Sequence, residues 1–131
     1  MSHLLDVDLL LACGWNVHAD HAAANRWLDS VKAFATCPVT QMGFIRVSMS
    51  PGYGASFADA RSVLQAIVQM PNHRFVPDGT TADSLPEVGS HRDVSDAHLV
   101  RLAKKSGLRL ATLDENLCRK SWAKDLAEKP V

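Results

Sequence analysis

The chain has 131 residues, of which 47% are hydrophobic, and its 14 basic and 14 acidic side chains give no formal net charge. This composition predicts one globular domain, residues 1–131, with a core of its own. It argues against a membrane protein, because no apolar run approaches the roughly 20 residues that cross a bilayer. The first residues also lack the basic region of a signal peptide. We therefore expect a cytoplasmic protein that does not bind membranes.

Strand and helix patterns alternate along the chain. The apolar run at 3–11, interrupted only by Asp6 and Asp8, predicts a central strand, buried on both faces, that leads into a helix. Further strands are predicted at 36–40, 74–76 and 108–113, and helices at 18–29, around 44–47, at 57–68, from Ser95 and after Asp114. This alternation predicts an α/β fold, a three-layer α/β/α domain with a mostly parallel central sheet.

Three aspartates are predicted at one edge of that sheet. Asp6 lies near the end of the first strand, Asp96 lies in the first turn of the penultimate helix, and Asp114 follows the last strand. Sites in parallel sheets form outside the carboxyl ends of the strands. Buried carboxylates are costly unless they are compensated, and a hard divalent cation is the simplest compensation. The pattern therefore predicts a divalent metal site.

Each carboxylate also has a simpler interpretation. Asp114 suits a helix N-cap, and so do Asp93 and Ser95. Asp6 does not suit a cap, because it is predicted between leucines inside a strand. Asp8 could face the site or cap the next helix. Asp93 lies three residues before Asp96 and would share its helix face if the helix starts early.

Basic residues are concentrated in the last third of the chain. Nine of the 14 lysines and arginines lie from Arg92 onward, including the group Arg119, Lys120 and Lys124. Such a face suits nucleic-acid phosphates, and it equally suits a solvated helix surface.

Four segments resemble motifs of a known family. Residues 4–10 (LLDVDLL) resemble the opening motif of PIN domains, 94–103 (VSDAHLVRLA) are similar to their third acidic motif, and 110–114 (LATLD) to their fourth. Residues 37–47 (CPVTQMGFIRV) resemble the VapC-type toxin branch of that family. The four segments occur in the family's order and span most of the chain.

The resemblance implies a metal-dependent endoribonuclease, the toxin of a type II toxin–antitoxin pair. Carried over residue by residue, Asp6, Asp96 and Asp114 would hold Mg²⁺ or Mn²⁺, which would activate the attacking water. Thr112 could hydrogen-bond to a carboxylate or a bound water, although its interpretation as an ordinary strand residue is slightly favoured. The implied partners are RNA, a small antitoxin protein and a second copy of the chain. The 57–68 helix is our suggestion for the dimer interface.

Two positions depart from the family pattern. Asp8 stands where PIN domains usually have Asn, and the family's second acidic residue aligns with Gly43. Gln41, nearby, can offer only a neutral oxygen, so Asp8 or Asp93 would have to restore the lost charge. Arg46 in the same segment could bind substrate phosphate, but pairing with a carboxylate near the site is favoured.

Two alternatives follow from these departures. The first is a non-catalytic PIN-like binding module that has lost one acidic ligand. The second is an Asp-x-Asp phosphatase, in which Asp6 would be the nucleophile and Asp8 the acid/base. It is disfavoured because Leu10 stands where Thr or Val is expected and because the chain is short for that class.

Overall fold

A computed structural model describes residues 2–131. The strands are β1 (His3–Leu5), β2 (Phe34–Thr36), β3 (His73–Phe75), β4 (Arg109–Ala111) and β5 (Ala127–Glu128). The helices are α1 (Val7–Gly14), α2 (His21–Ser30), α3 (Pro38–Ser48), α4 (Phe57–Val68), α5 (Val94–Lys105) and α6 (Glu115–Cys118). Two short 3₁₀ turns, Ala82–Ser84 and His91–Asp93, lie between β3 and α5. Within these residues, no helix is long and apolar enough to cross a membrane.

The five strands form one parallel sheet in the order β3-β2-β1-β4-β5. His3 of β1 pairs with Phe34 of β2 and with Arg109 of β4, so the three central strands are level and end at the same edge. The predicted parallel sheet is confirmed. The fifth strand was not predicted, because it is only two residues long and follows a turn-rich segment.

Helices cover both faces of the sheet. Leu4 and Leu5 of the central strand β1 are completely buried, in two different hydrophobic clusters. On one face α1 to α4 contribute Leu9, Leu28, Phe44 and Leu64, and on the other α5 and α6 contribute Leu99, Val100, Leu102 and Leu117. The predicted three-layer α/β/α fold is therefore confirmed.

The first strand is much shorter than predicted. It ends at Leu5, and α1 begins at Val7 because Asp6 is the N-cap and its Oδ1 accepts a hydrogen bond of 2.8 Å from the amide of Val7. The leucines at 9–11 are buried as helix residues. A helix enclosed on nearly all sides has the same continuous apolar sequence as a buried strand, which explains the error.

The second strand is also shifted. It ends at Thr36, not at residue 40, and Pro38 occupies the first position of α3, where a missing amide hydrogen costs nothing. The α2 helix starts at His21, and the side chain of Asp20 makes no capping hydrogen bond there. The predicted start of α4 is confirmed, since Ser56 Oγ accepts a hydrogen bond from the amide of Asp59 at 3.0 Å.

Candidate active site

Asp6 lies where β1 and β4 end side by side. Its amide donates to the carbonyl of Ala111 at 2.8 Å, and the residue is only 8% exposed. Besides capping α1, the carboxylate accepts a second hydrogen bond on Oδ2, from Thr112 Oγ1 at 2.8 Å. The prediction that Asp6 could not be a cap is wrong. It is both the cap of α1 and a buried carboxylate at the sheet edge.

Thr112 connects three of the aspartates. It follows β4 directly and is completely buried. Its hydroxyl oxygen lies 2.8 Å from Asp6 Oδ2 and 3.1 Å from Asp8 Oδ2, and it accepts a hydrogen bond from the amide of Asp114 at 3.1 Å. A single hydroxyl proton serves one carboxylate at a time. The interpretation of Thr112 as an ordinary strand residue is therefore wrong.

Asp8 and Asp114 fix the loop that follows β4. Asp8, in the first turn of α1, accepts a hydrogen bond from the amide of Leu113 at 3.2 Å. Asp114 is the N-cap of α6, and its Oδ1 accepts from the amides of Asn116 and Leu117 at 2.9 and 3.2 Å. The cap interpretation of Asp114 is confirmed, and one carboxylate oxygen is engaged in it.

Asp93 and Asp96 reach the same edge from α5. Asp96 lies in the first turn of that helix and is half-buried. Asp93 ends the preceding 3₁₀ turn and occupies the N-cap position without a capping hydrogen bond from its side chain. Its Oδ2 instead lies 3.6 Å from Lys120 Nζ.

The pKa values of these carboxyls show that they influence one another. Burial raises the pKa of Asp6 to about 7, and the charges of Asp8 and Asp96 add to this effect. Burial likewise raises the pKa of Asp96 to about 6, with further contributions from Asp114, Asp8 and Asp93. The pKa of Asp8 is raised by its burial as well. All five predicted carboxylates therefore gather at one edge of the sheet, where negative charge is poorly compensated.

This donor set suits a hard cation in its chemistry. Carboxylate oxygens are the ligands that Mg²⁺ and Mn²⁺ prefer, and carboxyls with raised pKa values gain from a nearby positive charge. Across residues 2–131, however, no group of three or more His, Cys, Asp or Glu side chains is arranged to hold a metal ion. Binding would thus require some of these side chains to reorient.

Gln41 and Gly43 lie in the first two turns of α3. Gly43 is buried against α1, where a Cβ atom would lie 2.6 Å from Val7 Cγ2, so any side chain at this position would force Val7 to shift. Gln41 donates from Nε2 to Thr36 Oγ1 at 2.9 Å, and that hydroxyl also hydrogen-bonds to His73 Nε2 at 2.7 Å. The structure thus offers no carboxylate at Gly43, and Gln41 makes no hydrogen bond to the site aspartates in the part of the chain described.

The close contact at Gly43 has a measurable consequence. We expect Gly43→Ala to lower the free energy of unfolding by about 1–3 kcal/mol, because the added methyl group overpacks the contact between α1 and α3. Urea denaturation measures this loss. Val7→Ala in the same chain should recover part of it by making room. Gly89→Ala is a matched control, since a Cβ at Gly89 would meet nothing within 4 Å. Equal stability of the two single variants would contradict the packing argument.

Arg46 does not pair with a carboxylate of the site in the described residues. It lies in the last turn of α3, whose first turn is at the carboxyl edge of the sheet, and it is exposed. No ion pair within 4.0 Å involves Arg46 among residues 2–131. The expected pairing with a carboxylate near the site is therefore wrong. The helix carries position 46 away from the edge that position 41 occupies.

Lys120 is the residue near the site that sequence reasoning did not single out. In the sequence it is only one member of the basic group Arg119, Lys120 and Lys124. Its position beside Asp93 depends on the turns that follow α6, in which the amide of Lys120 donates to the carbonyl of Leu117 and its own carbonyl accepts from Ala123. No spacing rule links residues 93 and 120, so only the tertiary fold could reveal this contact.

Comparisons with known proteins identify relatives over most of the chain. The PIN domain family matches residues 4–123. Ribonuclease VapC38 from Mycobacterium tuberculosis is 42% identical over 118 residues, which cover 85% of this chain and 84% of that protein. Ribonuclease VapC29 from the same species is 39% identical over 120 residues and 89% of each chain.

Solved structures of low sequence identity share the fold. The crystal structure of VapC20 from Mycobacterium tuberculosis, a toxin that cleaves the sarcin–ricin loop, superposes with a TM-score of 0.63 at 16% identity, covering 89% of this chain and 92% of that one. A chain of VapBC2 from Rickettsia felis, crystallised with a promoter DNA fragment, gives a TM-score of 0.66 at 12% identity and covers 98% of both. With the matches above, the chain belongs to the VapC ribonucleases of the PIN domain family.

Proposed function

We propose that this protein is a metal-dependent endoribonuclease, the toxin of a type II toxin–antitoxin pair, and that residues 1–131 are a single domain. The observation that carries the proposal is the gathering of Asp6, Asp96 and Asp114 at one sheet edge, where burial and mutual repulsion raise the pKa values of Asp6 and Asp96 to about 7 and 6. Membership in a family of ribonucleases supports the choice of substrate.

In this proposal Asp6, Asp96 and Asp114 hold Mg²⁺ or Mn²⁺, with Asp8 and Asp93 as additional ligands or as nearby charges. A bound divalent cation would polarise a phosphoryl oxygen and lower the pKa of the attacking water. Thr112 would keep Asp6 and Asp8 in position through its 2.8 and 3.1 Å contacts. The cap on α6 leaves Asp114 Oδ2 available, because the two capping bonds both use Oδ1.

A small antitoxin is the proposed protein partner. The fold neighbour VapBC2 is a complex, which supports a comparable partner for this chain. A pocket rich in carboxylate attracts a cationic side chain, so a basic peptide segment is the chemistry expected of the inhibitor. We further propose a homodimer and a cytoplasmic location. Light scattering at tens of micromolar would disprove the dimer if it gave only the monomer mass.

A non-catalytic binding module is the second candidate. It is favoured by one observation, the absence of a carboxylate in the first turns of α3, where Gln41 is held by Thr36 and a side chain at Gly43 would press on Val7. The Asp-x-Asp phosphatase has no support from the family to which the chain belongs.

Incubation of the purified protein with structured RNA separates the two candidates. We expect cleavage in about 5 mM Mg²⁺ or Mn²⁺, a concentration that should occupy a site of moderate affinity. No cleavage is expected in EDTA. RNA binding without cleavage under any of these conditions would establish the module. Cleavage that persists in EDTA would contradict the metal-dependent mechanism.

A further inference from the structure

Lys120 is the one basic side chain paired with the acidic cluster among residues 2–131. Its Nζ lies 3.6 Å from Asp93 Oδ2. No ion pair within 4.0 Å involves Asp6, Asp8, Asp96 or Asp114 in the same residues. A substrate phosphate that approaches this edge therefore meets five carboxylates and a single paired cation.

The pair between Lys120 and Asp93 is suited to exchange. The lysine side chain is 45% exposed, whereas that of Asp93 is 17% exposed. A contact of 3.6 Å to a partly exposed ammonium is a weak interaction, because water solvates the charge well in either position. Four rotatable bonds allow Nζ to move several ångströms while the backbone stays fixed by its hydrogen bonds to Leu117 and Ala123.

The surface beside Lys120 carries excess positive charge. Arg119 and Lys129 both lie within 4 Å of one carboxylate, that of Glu115, at 3.8 and 3.5 Å. Because these two cations share one carboxylate, the group has a net charge of one positive unit. Glu115 directly follows Asp114, the cap of the same short helix, so these cations belong to the α6 end of the acidic cluster. A phosphodiester chain would follow such a group, with its phosphates on the cations.

We propose that Lys120 is a substrate-positioning residue, which leaves Asp93 and binds a phosphate of the RNA beside the bond that is cleaved. The inference rests on the proposed ribonuclease function. Lys120 supplies the attraction that the acidic pocket lacks, and Asp93 holds it close to the pocket until RNA arrives. Asp93 thus acts on substrate affinity through Lys120.

The first test compares Lys120→Met with Lys124→Met. Lys124 is an exposed lysine four residues on, and it makes no ion pair within 4.0 Å in the described chain. In Lys120→Met we expect KM for a cleaved RNA to rise about tenfold, since one charged contact is lost, with kcat within about twofold. The salt dependence of binding should fall by about one unit of slope. Lys120→Arg should restore most of the affinity, and Lys124→Met should behave as wild type.

The second test removes Asp93, so that loss of Lys120 no longer leaves a carboxylate unpaired. Binding of a fluorescent single-stranded RNA is measured in EDTA, where metal affinity has no influence. Asp93→Asn frees the lysine and should tighten binding by roughly two- to fivefold. Adding Lys120→Met to Asp93→Asn should then weaken binding about tenfold.

These outcomes distinguish the inference from the proposed function. If wild type cleaves RNA and Lys120→Met does so with unchanged KM and salt slope, the positioning role is wrong and the nuclease remains. If the double variant binds RNA as tightly as Asp93→Asn, Lys120 is only a structural partner of Asp93. Failure of the wild type to cleave in Mg²⁺ or Mn²⁺ overturns the proposed function and, with it, the positioning role.

Discussion

Replacing Asp96 by Asn should abolish nearly all RNA cleavage. The change keeps the size of the side chain and removes one of the three proposed ligand charges. Altering a residue that merely supports a metal ligand costs about 10- to 100-fold in activity, so loss of a ligand itself should cost at least about 100-fold. Initial rates of RNA cleavage in saturating Mg²⁺ measure this loss. In a growth assay, expression of the variant should no longer be toxic.

The same change should not damage the fold. The pKa of Asp96 is raised to about 6 by its burial and by Asp114, Asp8 and Asp93, so its charge is unfavourable in the folded protein at neutral pH. A neutral Asn should leave the free energy of unfolding unchanged or slightly increased at pH 7.5. Asp125→Asn, at an exposed position, is the control and should retain full activity. Cleavage by Asp96→Asn at the wild-type rate would disprove its assignment as a ligand.

The fold class could be predicted because the alternation of strand and helix segments can be recognised even where their boundaries are placed wrongly. The strands are two or three residues long, which is too short for periodicity to place them. Asp6 illustrates the consequence. Its place at the carboxyl edge of the sheet was predicted correctly, but its role as a helix cap was missed because the apolar run continues on both sides of it.

The features of the site that the sequence could not predict depend on tertiary contacts. A glycine at position 43 avoids overpacking against Val7, which lies 36 positions earlier in the chain. No local sequence pattern indicates that contact. Thr112 has the β-branched side chain of a strand residue, so its residue type favours the interpretation as an ordinary strand residue. Only the structure shows that its hydroxyl lies between Asp6 and Asp8. Residue type alone could not distinguish these roles.

Charge at Asp6 should make the metal-free protein less stable as the pH rises. Its pKa in the folded protein is raised from 3.8 to about 7, so between about pH 4 and pH 7 the folded state binds more protons than the unfolded state. The free energy of unfolding must then fall across this window and level off above it. At about 1.4 kcal/mol per pKa unit, the loss at pH 8 is up to about 4 kcal/mol.

Asp6→Asn isolates this effect from other titrating groups. The carboxamide oxygen can still accept from the amide of Val7, and Thr112 can accept from the new NH₂ group while its hydroxyl donates to Asp8. Without metal, the variant should exceed wild type in stability by at least about 1 kcal/mol at pH 8, with the difference shrinking toward zero near pH 4. Urea denaturation in EDTA at several pH values measures the difference.

Magnesium should reverse the order of stability. Wild type should gain thermal stability from about 10 mM Mg²⁺, a concentration that should saturate a site of this kind. The gain should be larger at pH 8 than at pH 5, because ligand carboxyls must lose their protons to bind the ion. Asp6→Asn should gain little at either pH. Asp125→Asn should respond as wild type does. An equal gain in Asp6→Asn and wild type would place the cation elsewhere, whereas a gain confined to wild type and favoured by high pH would tie it to the buried carboxylate at the end of β1.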